Sequence, residues 1–193
     1  MTGVFILYHP FSHLSSIYLQ HCDVKPDNWV LTSSSANDAV GGCDLMLVDF
    51  GRAVDLEKVT RQGEDPLRTL FKGSIAAEDM ECGTMREGLP WGVDLDYFGL
   101  CASAFILLFG THMEVVKDKA SGSWRPHKTL RRYWQKDLWQ SLFDSLLNFD
   151  LSSERKCLRE VRAAFDGYIG ENDRSREIES HLNQLFSHLP KKR

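Results

Sequence analysis

A chain of 193 residues, 42% hydrophobic and 26% charged, can bury one sizeable core or form a piece of a larger domain. Its formal net charge of -4 argues against a general binder of nucleic acid or of anionic membranes. The five cysteines, Cys22, Cys43, Cys82, Cys101 and Cys157, are scattered and never form a Cys-x-x-Cys pair; a reduced compartment fits them and a zinc site does not.

Residues 4–8 are apolar but few, without a basic leader or a small-residue cleavage site, which counts against a signal peptide. Leu14, Ile17 and Tyr18 have helical spacing and predict a lead-in helix within residues 1–20, limited upstream by Pro10. His9 and His13, four apart, read as surface or core residues more readily than as metal ligands. Next come His21-Cys22-Asp23-Val24-Lys25-Pro26-Asp27-Asn28-Trp29-Val30-Leu31 and, after a polar loop, Leu45-Met46-Leu47-Val48-Asp49-Phe50-Gly51. Each sets a short apolar run beside polar groups, and together they predict a hairpin with Asp23, Lys25, Asn28 and Asp49 at one mouth. The intervening residues 32–44, with Ser33-Ser34-Ser35 and Gly41-Gly42, are turn chemistry and read as a tolerated surface insertion.

Those four side chains are what phosphoryl transfer requires. The reaction asks the protein for a base, a cation and metal-binding oxygens rather than for covalent chemistry. Asp23 is the candidate base for a hydroxyl proton, and Lys25 the candidate cation for the transferred phosphate. Asn28 and Asp49 offer one neutral and one anionic oxygen suited to Mg²⁺. Pro26 fixes φ and keeps the loop non-helical.

His-x-Asp-x-Lys-x-x-Asn followed by Asp-Phe-Gly resembles the catalytic and metal-binding loops of protein kinases. Lys25 resembles the serine/threonine type, and small-molecule phosphotransferases with a similar first loop do not usually carry Phe-Gly after the second carboxylate. The resemblance implies a catalytic loop at 21–28, a metal-binding loop at 49–51 and an activation segment over 49–85. Within that segment Phe71-Lys72-Gly73-Ser74 is a candidate substrate-docking stretch by position, and Thr60, Thr69 and Ser74 are candidate phosphorylation sites. Cys22 stands where many kinases carry an arginine that pairs with a loop phosphate, so activity is expected not to depend on that phosphate.

Pro90-Trp91-Gly92-Val93-Asp94-Leu95-Asp96-Tyr97-Phe98-Gly99 leads into an apolar run predicted to be a buried central helix over about 95–109, capped by Gly110. The run is too short to span a bilayer. An acid at the start of such a helix either caps it or is hydrogen-bonded to other backbone. Asp96 matches the aspartate that tethers the catalytic loop in kinases, and His21 is expected to be a second brace.

Pro-Trp-x-x-x-x-Asp-Tyr-Phe-Gly, then Leu-Phe-Gly-Thr-His-Met-Glu-Val, together with Asp-Val-Lys-Pro-Asp-Asn-Trp-Val-Leu and Phe71-Lys72-Gly73-Ser74-Ile75, resemble the Bub family of mitotic checkpoint serine/threonine kinases. The likeness runs over about 21–147. Beyond it, Trp139, Leu142, Phe143, Leu146 and Leu147 form one apolar stripe; Leu158, Val161, Phe165, Tyr168 and Ile169 a second; Ile178, Leu182, Leu185 and Phe186 a third. Lys128-Thr129-Leu130-Arg131-Arg132 and the tail at 191–193 read as solvated basic surface.

The fold class implied is α+β, mainly α: the C-terminal lobe of a kinase with a small β-hairpin, over 21–190, with the N-terminal lobe missing. No Gly-x-Gly-x-x-Gly occurs, and the 20 residues before His21 cannot hold that lobe. Where the family's Ala-Pro-Glu-like motif is expected the chain reads Glu81-Cys82-Gly83-Thr84-Met85; either Thr84 stands in place of the glutamate that pairs with arginine, which weakens the expected hold on the docking loop, or Glu81 is that glutamate. The implied function is ATP·Mg-dependent transfer to protein serine or threonine in the spindle checkpoint, in the nucleus and at the kinetochore, otherwise cytoplasmic, with checkpoint or kinetochore proteins as partners. The 193 residues by themselves are expected to be inactive. The alternatives are a non-catalytic docking module at the kinetochore and a small-molecule phosphotransferase, the latter opposed by Lys25 and Gly51.

Overall fold

The computed structural model describes residues 18–33, 43–73, 80–149 and 154–170, with a few helical positions beyond. Three antiparallel strand pairs and a set of helices make up these residues. The centre is α3, Asp94–Phe109. (The two short helices before it are α1, Leu56–Val59, and α2, Gly83–Arg86.) Acidic Asp94 and Asp96 in its first turn suit the positive helix end. It stops at Gly110, whose φ of 68° no side chain opposes and whose N–H donates to Ile106 O at 2.8 Å. Leu95, Phe98, Cys101, Ala102 and Phe105 are buried, as the unbroken apolar run predicts.

One helix packs on α3 and a second packs on that one. From α4, Lys136–Leu147, all five residues of the predicted stripe are buried. From α5, Glu154–Gly170, Val161 and Phe165 are buried while Tyr168 and Ile169 are half-buried. Phe105 meets Phe143 edge-on at 6.3 Å and Trp139 meets Phe165 at 5.1 Å. Each such side chain contributes roughly 1.5–3 kcal/mol by leaving water. The side chain of Leu158, the third stripe, His9 and His13 lie outside the described residues.

The strands arrange the loops. β2, Trp29–Ser33, pairs antiparallel with β3, Cys43–Leu47, through five register partners from Trp29↔Leu47 to Ser33↔Cys43; this is the predicted hairpin. Of the expected lead-in helix only residues 18–20 are described, and there Leu19–Gln20 (β1) is extended and pairs with Val54–Asp55 (β4). A second hairpin, β5 Val115–Lys117 with β6 Trp124–Pro126, has no counterpart in the expected elements.

Within the basic stretch Arg131 and Arg132 are exposed, as solvated surface should be, and Lys128 is half-buried. Lys128 lies 6.0 and 5.9 Å over the rings of Phe105 and Phe109 and donates to Thr111 Oγ1. Arg131 lies 5.0 Å over Trp134, which meets Phe109 edge-on. These cations cover the aromatic end of the core, their apolar stems over the rings and their charges toward ring faces. No helix among the described residues is long and apolar enough to cross a membrane.

Candidate active site

The loop 21–28 is built from its main chain outward. Asp96, one turn into α3, accepts the N–H of His21 at Oδ2 and of Cys22 at Oδ1, both at 2.7 Å. One carboxylate can receive both because Cys22 adopts the left-handed conformation, φ 60°. Burial pushes the Asp96 carboxyl up to about 6, against the pull of those two N–H donors. Gly99, one turn further, lets α3 come flush against the loop: a Cβ there would lie 2.4 Å from Val24 O. The expected tether is therefore present.

His21 braces the loop from the other side. The Asp23 N–H donates to His21 Nδ1 at 3.3 Å, so Nδ1 carries the lone pair and Nε2 the hydrogen, which it donates to Val48 O at 3.0 Å. Phe50 stands edge-on to the same imidazole at 4.8 Å. Val48 N in turn donates to Asn28 O at 2.8 Å. The two sequence segments are thus joined through main-chain atoms before any catalytic side chain is considered.

Asp23, Lys25 and Asn28 are brought together directly. Lys25 Nζ lies 2.8 Å from Asp23 Oδ2. Asn28 Nδ2 donates to Asp23 O at 2.9 Å and to Asp23 Oδ2 at 3.3 Å. Both partners only accept, so the amide nitrogen is committed and the amide oxygen is the atom left for a cation. Pro26 opens the 3₁₀ turn Pro26–Asn28 that sets this spacing. Asp49 joins the group through its neighbour Val48; among the described residues it makes no side-chain bond to the other three. It too is left-handed, φ 64°, and its carboxylate accepts the Gly51 N–H at 3.3 Å while remaining exposed.

Asp23 is buried, which would raise its carboxyl, but Lys25, Arg52 and Asn28 outweigh burial and hold it below the usual carboxylate range. It is an anion at neutral pH, able to accept a proton or a hydrogen bond. Arg52, with Nη1 3.9 Å from Asp23 Oδ1, was not among the expected site residues; its place one residue after Asp-Phe-Gly was the available signal. Cys22 and Cys82 are buried thiols, each pushed up to about 12 by burial and then by the nearby acids Asp96 and Asp94, so neither is a nucleophile at neutral pH. Among the described residues no three His, Cys, Asp or Glu side chains gather as a metal site.

The candidate docking stretch is also anchored. Phe71 and Trp91 exchange both main-chain hydrogen bonds, at 2.7 and 3.0 Å, and the Trp91 indole N–H donates to Gly73 O at 2.6 Å. Thr60 and Thr69 bond to one another through their hydroxyls, and Thr60 also to Leu56 O. The Thr84 hydroxyl donates to Asp94 Oδ2. Ser74 lies outside the described residues.

No family model matches the chain. It is 30% identical over 188 residues to the mitotic checkpoint serine/threonine-protein kinase BUB1 of Arabidopsis thaliana, covering 90% of this chain and 34% of that protein. To the spindle assembly checkpoint serine/threonine-protein kinase BUB1 of Saccharomyces cerevisiae it is 31% identical, over 70% of this chain and 14% of that one. The crystal structure of the BubR1 kinase domain superposes with a TM-score of 0.74 at 30% identity, over 90% of this chain and 50% of that domain. The chain is a homologue of the Bub-type mitotic checkpoint kinases. It spans about a third of the Arabidopsis protein and half of the solved Bub-type domain, and its fold, helix-rich with small antiparallel strand pairs, is that of a kinase C-lobe.

Proposed function

We propose that these residues form the catalytic lobe of a serine/threonine protein kinase of the spindle assembly checkpoint, acting in the nucleus and at the kinetochore on checkpoint or kinetochore proteins. The supporting observation is the convergence of Asp23, Lys25 and Asn28 on a loop whose main chain Asp96 holds. A docking surface has no physical need for a buried carboxylate ringed by two cations and an oriented amide.

The donor set fits ATP with magnesium. The chain offers one amide oxygen, from Asn28, and one exposed carboxylate, from Asp49, and a hard cation bound largely by phosphates asks for little more from protein. When bound, ATP with magnesium supplies the transferable phosphoryl group. Asp23 would accept the proton of a serine or threonine hydroxyl, and Lys25 would offset charge on the oxygens of the phosphoryl group as it passes to that hydroxyl and the nucleoside diphosphate departs. His21 and Asp96 keep both in register. Without a Gly-rich loop and a paired lysine, the 193 residues by themselves have negligible transfer activity.

The test is to capture the endogenous protein with an antibody raised against residues 117–132 and to assay phosphate transfer from ATP·Mg to serine and threonine. Transfer is expected, and an Asp23→Asn allele should lower it roughly 10²–10⁴-fold, the worth of a positioned base. A captured protein that is inert, or whose activity ignores Asp23, leaves the docking-module reading in place of this one.

A further inference from the structure

We propose that the β5–β6 hairpin is a clamp that positions the docking stretch Phe71-Lys72-Gly73, with Trp124, Asn148 and Lys117 as positioning residues. The role of the docking stretch rests on the function proposed above.

The contacts run in series. Asn148, at the end of α4, brackets the main chain of Trp124: its Oδ1 accepts Trp124 N–H at 2.6 Å and its Nδ2 donates to Trp124 O at 2.9 Å. So held, the indole lies against Gly83, where a Cβ would come within 2.7 Å of Trp124 Nε1. Lys117, across the hairpin from Trp124 and 5.7 Å over its ring, pairs with Glu87 just beyond α2. The Lys117 ammonium and the Trp124 indole N–H together hold the Glu87 carboxyl below its ordinary range.

α2 passes the constraint on. The Thr84 hydroxyl bonds to Asp94 Oδ2, and Asp94 Oδ1 accepts the Gly92 N–H at 2.6 Å. Gly92 lies against Thr69 O, which a Cβ would approach to 2.9 Å, and its own carbonyl accepts buried Gln20 Nε2 at 2.6 Å. Its neighbour Trp91 makes the two-bond bridge to Phe71. The hairpin thus reaches the docking stretch through Gly83, Thr84, Asp94 and Gly92. The Lys117–Glu87 pair is partly exposed and weak on its own; the seating of Trp124 on Gly83 is the central contact.

Amide hydrogen exchange on the 193-residue chain tests this without requiring kinase activity, so the clamp and the kinase reading can fail separately. In Trp124→Ala the Phe71 and Trp91 amides should exchange about three- to tenfold faster, the loss of one or two modest contacts. The Val161 and Phe165 amides of α5 should not change. In Lys117→Glu the same two amides should accelerate, and adding Glu87→Lys should restore them. Acceleration confined to residues 83–88, acceleration shared equally by α5, or no rescue by the reversed pair would each overturn the proposal. Where Trp124→Ala does not fold, the charge-reversal series decides on the same criteria.

Discussion

Adding one methyl group at Gly99 is expected to separate the loop 21–28 from the helix that supports it. A Cβ there would lie 2.4 Å from Val24 O and 2.7 Å from Val24 Cβ, and neither atom is the tip of a flexible side chain. α3 is pinned from behind, its Phe105 packed in one core with Phe143 and Trp139 of α4, so the loop is the part that must move. Overpacking of this kind costs roughly 1–3 kcal/mol, and Gly99→Ala should show that loss in urea unfolding of the chain. The displacement should also lengthen the Asp96 bonds to His21 and Cys22, seen as faster exchange of those two amides. A variant with wild-type stability and unchanged exchange would mean that α3 does not set the loop's position.

The second large effect is expected from Asp96→Asn. An asparagine has one acceptor oxygen where two N–H donors wait, and its NH₂ would face one of them. A buried donor without a partner costs roughly 1–3 kcal/mol, and a loop misplaced by about an ångström costs on the order of 10²-fold in rate in an assembled kinase. The pH dependence carries a definite sign. The Asp96 carboxyl is raised from 3.8 to about 6 in the folded chain, so folding favours its protonated form. The stability it contributes is fully present below pH 3.8 and is lost as pH rises through about 6. Asp23 runs the other way, its carboxyl being lowered, but its window lies below 3.8. Urea titrations at pH 4.5 and 6.5 should therefore find the Asn substitution more costly at the lower pH. The reverse trend would mean that the two N–H bonds outweigh burial and that the anion is the favoured form.

What the sequence made legible was whatever its local chemistry determined. α3 was readable because an almost wholly apolar run is bounded by acids and by Gly110, and the hairpin β2–β3 because its runs flank turn residues. Asp23, Lys25 and Asn28 were readable as a set because the Pro26 turn brings close neighbours in sequence together. The left-handed backbone at Cys22 was not readable, since cysteine carries no preference for it and the cause lies 74 residues away in Asp96. Nor was β5–β6: three-residue strands carrying Lys117 and Pro126 have no useful alternation, and what holds them is Asn148, 24 residues on from Trp124. The aromatic rings beneath Lys128 and Arg131 were not readable either, since only the fold places them there.

The grip of Asp96 on the loop has an evolutionary corollary. It holds peptide N–H groups, which every residue but proline possesses, so the brace is indifferent to the side chains of the residues it grasps. Position 22 can therefore change, among residues that tolerate a buried, left-handed backbone, without loosening the two bonds or the geometry at Asp23. Position 96 has no such liberty. A change of side chain at position 22 and retention of the loop's geometry are, in this architecture, separable.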